Sequence, residues 1–166
     1  MNKKILFAAL LIIVILLSVK NSTYDVKKEY EKLNNDNKYI KVHISNDNPF
    51  KNIKNNELTK IIKETSVIFI GSSKNKASRV SINSLSKAAE NTGIDKIYYI
   101  ELKEIKDKKI IKKYKIENAT LLTFKNGKMK DYINNNKNKI TKKQLIKKYE
   151  EAINHILICN PTGDTC

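Results

Sequence analysis

The run "TSVIFIG", Thr65 to Gly71, constrains the fold most. Val67, Ile68, Phe69 and Ile70 are consecutive and apolar, so a strand built from them is apolar on both faces. Such a strand needs a layer of structure over each face, as in the central strand of an α/β sheet. The chain then turns through Gly71, Ser72 and Ser73 into a helical stripe of Ala77, Val80, Leu85, Ala88 and Ala89, which Gly93 stops. A junction from a buried strand to a helix is a common place for reactive groups. Here "GSSKNKASRV" carries no cysteine, histidine or acid.

The flanking segments extend the same pattern. "YIKVHIS" alternates Ile40, Val42 and Ile44, the period of a half-buried strand. "NELTKIIKE" sets Leu58, Ile61 and Ile62 on one helical face, and "KIYYIEL" is a further strand. "KDKKIIKKYK" predicts a short amphipathic helix on Ile110, Ile111 and Tyr114, with a lysine face. "TLLTFKNGKMKDYI" predicts a hairpin turning at Asn126-Gly127. A last amphipathic helix opens at Thr141 and carries Leu145, Ile146, Tyr149, Ala152, Ile153 and Ile156. The order is β-α-β-α-β-α-β-β-α. Right-handed crossovers make the strands before the hairpin parallel. The expectation is an α/β fold: one mixed sheet, flanked by helices on both faces.

This order resembles the thioredoxin-like fold over residues 40–155. "TLLTFKNGK", Thr120 to Lys128, is similar to the hairpin after the cis-proline of thioredoxins. "VIFIGSSKNKASRVSINSLSKAAENTGIDKIYYIEL" has the layout of the active-site strand, loop, helix and next strand. The nearest likeness is to the thioredoxin-fold proteins related to bacteriocin-transport accessory proteins. On that resemblance Asn75 and Ser78 stand where the two motif cysteines would be, and Arg79 matches the basic residue after the motif. Ala119, before Thr120, replaces the cis-proline, and Phe69 replaces the buried acid of the preceding strand. Thiol exchange needs a thiolate at the helix start and a second thiol to resolve the product. Asn75 and Ser78 supply neither, and Asn75 is a good helix N-cap. Without proline, a cis bond costs about 3 kcal/mol, so a trans bond is expected at Ala119. The resemblance also places a peptide groove between these two loops, which makes Asn75, Ser78, Arg79, Ala119 and Thr120 the peptide-binding candidates. No catalytic residue is assigned.

The two ends carry separate signals. Lys3 and Lys4 precede an apolar run from Ile5 to Val19. Residues 1–20 are read as an uncleaved signal anchor, spanning the membrane through residues 5–19, because Lys20 spoils a small-residue cleavage pair. Cleavage with secretion, or a buried helix, are the alternatives. The charge at the start places the domain outside the cytoplasm. Residues 21–38 are polar and charged, with a weak helical pattern around Tyr24, Tyr30 and Leu33, and are expected to form a stalk, with the thioredoxin-like domain over 39–158. The tail over 159–166 holds the only cysteines, Cys159 and Cys166, around "NPTGDT". A structural disulfide is expected of an even pair in an exported protein. Free thiols or a redox-active pair are the alternatives.

Charge narrows the function classes. The net charge is +16, yet Arg79 is the one arginine among 33 lysines and arginines. Nucleic-acid readers use arginine forks and aromatic platforms, so no specific nucleic-acid partner is expected. His43 and His155 stand alone, and no metal or other cofactor is expected. The sequence therefore reads as a membrane-anchored, extracytoplasmic accessory protein that binds a protein or peptide. Bacteriocin export or immunity is the finer form of that reading, and it is not an enzyme. The alternative is a thiol-disulfide oxidoreductase using the C-terminal dithiol.

Overall fold

Strand β2, Ser66–Gly71, is buried along its whole length. In the computed structural model, which describes residues 25–137 and 140–157, it is the middle strand of five. On one side lies β3, Ile97–Glu101, parallel to it, with Gly71 opposite Glu101. On the other lies β4, Thr120–Lys125, antiparallel. Strand β1, Phe50–Asn52, runs parallel outside β3, and β5, Lys128–Asn134, closes the far edge against β4. The order is β1-β3-β2-β4-β5.

Alternation along β2 divides the core in two. Val67 and Phe69 face one cluster, Ile68 and Ile70 the other. The first is covered by helices α1 (Val26–Glu31), α3 (Lys76–Thr92) and α5 (Lys142–Leu157), through Tyr30, Ile82, Leu85, Leu145 and Tyr149. The second is covered by α2 (Asn55–Ile61) and α4 (Lys108–Lys113), through Leu58, Ile61 and Ile110. This is the expected mixed sheet with helices on both faces. The hairpin turns with Asn126 at φ 51° and Gly127 at φ 74°, the two positive values that a type I′ turn requires. Gly93 ends α3 at φ 70°, a conformation that costs glycine little.

Two expectations are corrected. The polar stalk over 21–38 is, from residue 25 onward, partly helix α1 packed on the domain. Asp25 caps it by accepting from the Lys28 N–H, and Val26 and Tyr30 are buried in the first core. Spaced i and i+4, Val26 and Tyr30 put two apolar side chains on one face of an otherwise charged helix. The second correction is the strand over Ile40–Ile44. Its alternation is real, because Val42 and Ile44 are buried while Lys41 and His43 are exposed. The segment pairs with side chains instead of a neighbouring strand. Asn34 donates to the Val42 carbonyl at 2.6 Å and accepts from the Val42 N–H at 2.8 Å. Glu31 accepts from the Ile44 N–H, and Asn83 bridges the Lys41 carbonyl and the His43 N–H. The edge strand on this side is β1, which begins six residues after Ile44.

The anchor expected over 1–20 and the cysteine tail over 159–166 lie outside the described residues. Among the described residues no helix is long and apolar enough to cross a membrane.

Candidate functional site

The junction singled out in the sequence is where β2 ends and α3 begins. Gly71 has no room for a side chain. A Cβ there would lie 3.0 Å from Phe69, from the Ser78 Oγ and from the Tyr30 hydroxyl. The chain then folds back on itself. The Asn75 N–H donates to the Ser72 carbonyl at 3.0 Å, and the Ser72 N–H donates to the Ser78 Oγ at 3.1 Å. Asn75 caps α3 by accepting from the Ser78 N–H at 2.9 Å. Both positions of the resembled motif are thus occupied by side chains that hold the helix start. Asn75→Ala is expected to cost about 1 kcal/mol in urea unfolding, with Asn75→Asp close to wild type. Equal stability of the alanine variant would show that the cap contributes nothing.

One turn on, Arg79 is fully buried. Its Nε donates to the Ile40 carbonyl at 2.6 Å, Nη1 to the carbonyls of Tyr30 and Ser73 at 2.9 Å each, and Nη2 to the Asn34 Oδ1 at 2.8 Å. The rings of Tyr30 and Tyr39 lie 5.8 and 5.5 Å from the guanidinium carbon. Burial pulls its pKa below the ordinary arginine value, and the two tyrosines push it back up. Burial also drives the Tyr30 phenol well above its usual range, against the opposing hydrogen bond from Tyr99. Arg79 therefore fastens α1, the extended 40–44 segment and the motif loop to the start of α3.

The second half of the site is the loop before β4. Ala119 is buried with φ 60°, a left-handed conformation that an alanine adopts at a cost of roughly 1 kcal/mol. No cis peptide bond occurs among the described residues, so Ala119 joins the chain in trans. Thr120 is buried, and its Oγ1 accepts from the Glu117 N–H at 3.1 Å and from Asn134 at 2.8 Å. Asn135 ties the two halves together. Its N–H donates to the Ala119 carbonyl at 3.1 Å, and its Nδ2 donates to the Ser81 Oγ of α3 at 3.3 Å.

The structure thus places Asn75, Ser78 and Arg79 at the start of α3, and Ala119 and Thr120 at the entry to β4, the two joined through Asn135. It also sets how far each is exposed. Ser78, Arg79, Ala119 and Thr120 have no exposed surface. Only Asn75 is partly open to a partner, between the exposed Lys74 and Lys76. Sequence reasoning missed Asn34, Tyr30 and Asn135, which hold the site but lie 45, 49 and 54 residues from the α3 side chains, Arg79 and Ser81, that they bind. One signal for Arg79 was present. A lone arginine in so lysine-rich a chain marks a place where an ammonium group cannot substitute.

None of the family models compared matches the sequence. No curated protein matches it. Solved structures do. A thioredoxin from Trypanosoma brucei brucei aligns at 14% identity and TM-score 0.48, over 68% of this chain and 98% of that one. Thioredoxin O2 from Arabidopsis thaliana, in the oxidized state, aligns at 16% identity and TM-score 0.46, over 66% and 97%. The strand order and the two helical layers decide the fold. It is thioredoxin-like. Within that fold the helix start carries a side-chain cap in place of a dithiol, and Phe69 lies in the core against Tyr99, ring centroids 6.2 Å apart. Neither histidine belongs to this site. His43 is exposed, and His155 Nδ1 lies 2.9 Å from Asp131 on β5. Among the described residues no group of three His, Cys, Asp or Glu side chains could hold a metal ion.

Proposed function

We propose that this chain binds a protein or peptide partner and does not turn over disulfides. The observation that carries the reading is the helix start. A thioredoxin-type exchange needs a thiolate there, whereas Asn75 accepts from Ser78 and Ser78 accepts from Ser72. Neither group is a nucleophile for a disulfide. The partner would meet the exposed rim of the junction, Lys74, Asn75 and Lys76, instead of the buried residues beneath it.

The proposal includes the location. The run Ile5–Val19 behind Lys3 and Lys4 holds the protein to the membrane in a single pass, with the domain outside the cytoplasm. The finer form is an accessory role in export of, or immunity to, a secreted bacterial peptide. It is supported by the resemblance of residues 67–102 to the bacteriocin-accessory type of thioredoxin-fold protein.

Two measurements test this. The full-length protein is expected to stay with membranes after a carbonate wash; a mature N-terminus near residue 20 in the soluble fraction contradicts the anchor. A photo-crosslinking side chain at Lys74 is expected to give one discrete adduct in cells, absent when the same group stands at the exposed Lys60 of α2. Identical adduct patterns from both positions contradict binding at the junction.

A further inference from the structure

The outer face of α4 and its two flanks is densely basic. Lys106, Lys108, Lys109, Lys112, Lys113 and Lys115 are all exposed. None forms an ion pair among the described residues. Other helices do pair their lysines: Lys27 with Glu31 and Lys32 with Glu29 on α1, Lys87 with Glu90 on α3, and Lys147 with Glu151 on α5. The one acid inside the cluster, Asp107, is committed to capping α4, accepting from the N–H groups of Lys109 and Ile110. The face is also held rigidly outward. Ile110 and Tyr114 are buried beneath it, and the Tyr114 ring meets Phe124 edge-on at 5.4 Å. At its border Tyr132 is 40% exposed, with its hydroxyl donating to the Lys115 carbonyl at 3.0 Å. Lys130 on β5 is exposed as well.

We infer that this face docks on the headgroups of an anionic lipid bilayer. The lysines are point charges without the forks that read phosphates or bases. A bilayer surface requires only their summed charge, and clusters of about 4–8 lysines are the size that anionic leaflets attract. An exposed tyrosine beside them suits the headgroup level. A nucleic-acid surface would add arginines and several stacking rings. The inference rests on the membrane location proposed above, because the apolar run in the same chain brings the domain to such a surface.

The test uses the full-length protein with neutral phosphatidylcholine vesicles and with vesicles holding about 30% phosphatidylglycerol. Flotation is followed by brief lysine acylation and mass spectrometry. With anionic vesicles, acylation of Lys108, Lys109, Lys112 and Lys113 is expected to slow about fivefold or more. High salt should restore it, and Lys142, Lys143 and Lys147 of α5 should be unaffected. Replacing the four α4 lysines by glutamine should abolish the preference for anionic vesicles. Equal labelling in both vesicle types, equal slowing on α5, or retained preference in the glutamine variant overturns the inference. So does stronger protection of these lysines by a single-stranded oligonucleotide than by the anionic vesicles. Flotation with neutral vesicles reads the apolar segment alone. Its failure would sink the anchor and leave the lysine face to be judged by the difference between lipids.

Discussion

Arg79→Lys is expected to destabilise the domain by about 3 kcal/mol, lowering Tm by roughly 10 °C. The charge is kept, so the loss measures geometry. The guanidinium spreads its donors over the carbonyls of Ile40, Tyr30 and Ser73 and the Asn34 side chain. An ammonium offers its donors from a single atom and cannot reach groups on three separate segments. The unpaired carbonyls would stay buried, each at a cost of about 1–3 kcal/mol before relaxation. Arg79→Met should be at least as damaging, because it removes every donor and leaves the same acceptors. Urea unfolding read by circular dichroism checks both. An Arg79→Lys variant within about 0.5 kcal/mol of wild type would mean that Arg79 behaves as an ordinary surface charge.

The second large expected effect concerns the motif. Asn75→Cys with Ser78→Cys restores two thiols at the helix start, where the dipole favours a thiolate by up to about 1 kcal/mol. Exchange is nevertheless expected to remain slow. Position 78 has no exposed surface, which suits a resolving thiol. The loop that would hold a substrate strand is built differently. Ala119 sits at φ 60° in trans, buried, with its carbonyl taken by the Asn135 N–H. Productive attack needs the substrate held in line with the thiolate, and loss of positioning alone costs orders of magnitude in rate. The double variant should therefore oxidise readily yet reduce insulin only marginally above the unmodified protein. Turnover at the rate of an ordinary thioredoxin would show that the loop is no obstacle. Adding Ala119→Pro should not rescue the rate, because proline cannot adopt φ 60° and the loop would have to rebuild.

The elements legible in the sequence were those with a clear period and a clear stop. Strand β2 announced itself by four consecutive apolar residues, α3 by its stripe between Asn75 and Gly93, and the hairpin by Asn126-Gly127. Helix α1 was legible only as a weak helical pattern and not as part of the domain, since only Val26 and Tyr30 mark its buried side. Strand β1 is three residues, Phe50–Asn52, too short to show a period. The Ile40–Ile44 segment misled for a different reason. Alternating burial produces the same pattern whether the partner is a strand or, as here, the amides of Asn34 and Asn83. The candidate site was legible in position and not in accessibility. Asn75 and Ser78 could be placed at the helix start, and the cap followed from residue type. That Arg79, Ala119 and Thr120 lie beneath the surface depends on α1 and on Asn135, which meet them only in the folded chain.

The central claim is that this thioredoxin-like domain works without thiol chemistry. The most direct measurement is insulin reduction by the unmodified full-length protein with dithiothreitol, beside the Cys159→Ser, Cys166→Ser variant. Both are predicted to run at the uncatalysed rate. Clear turnover by the unmodified protein, lost in the serine variant, would contradict the account and move the chemistry to the C-terminal dithiol.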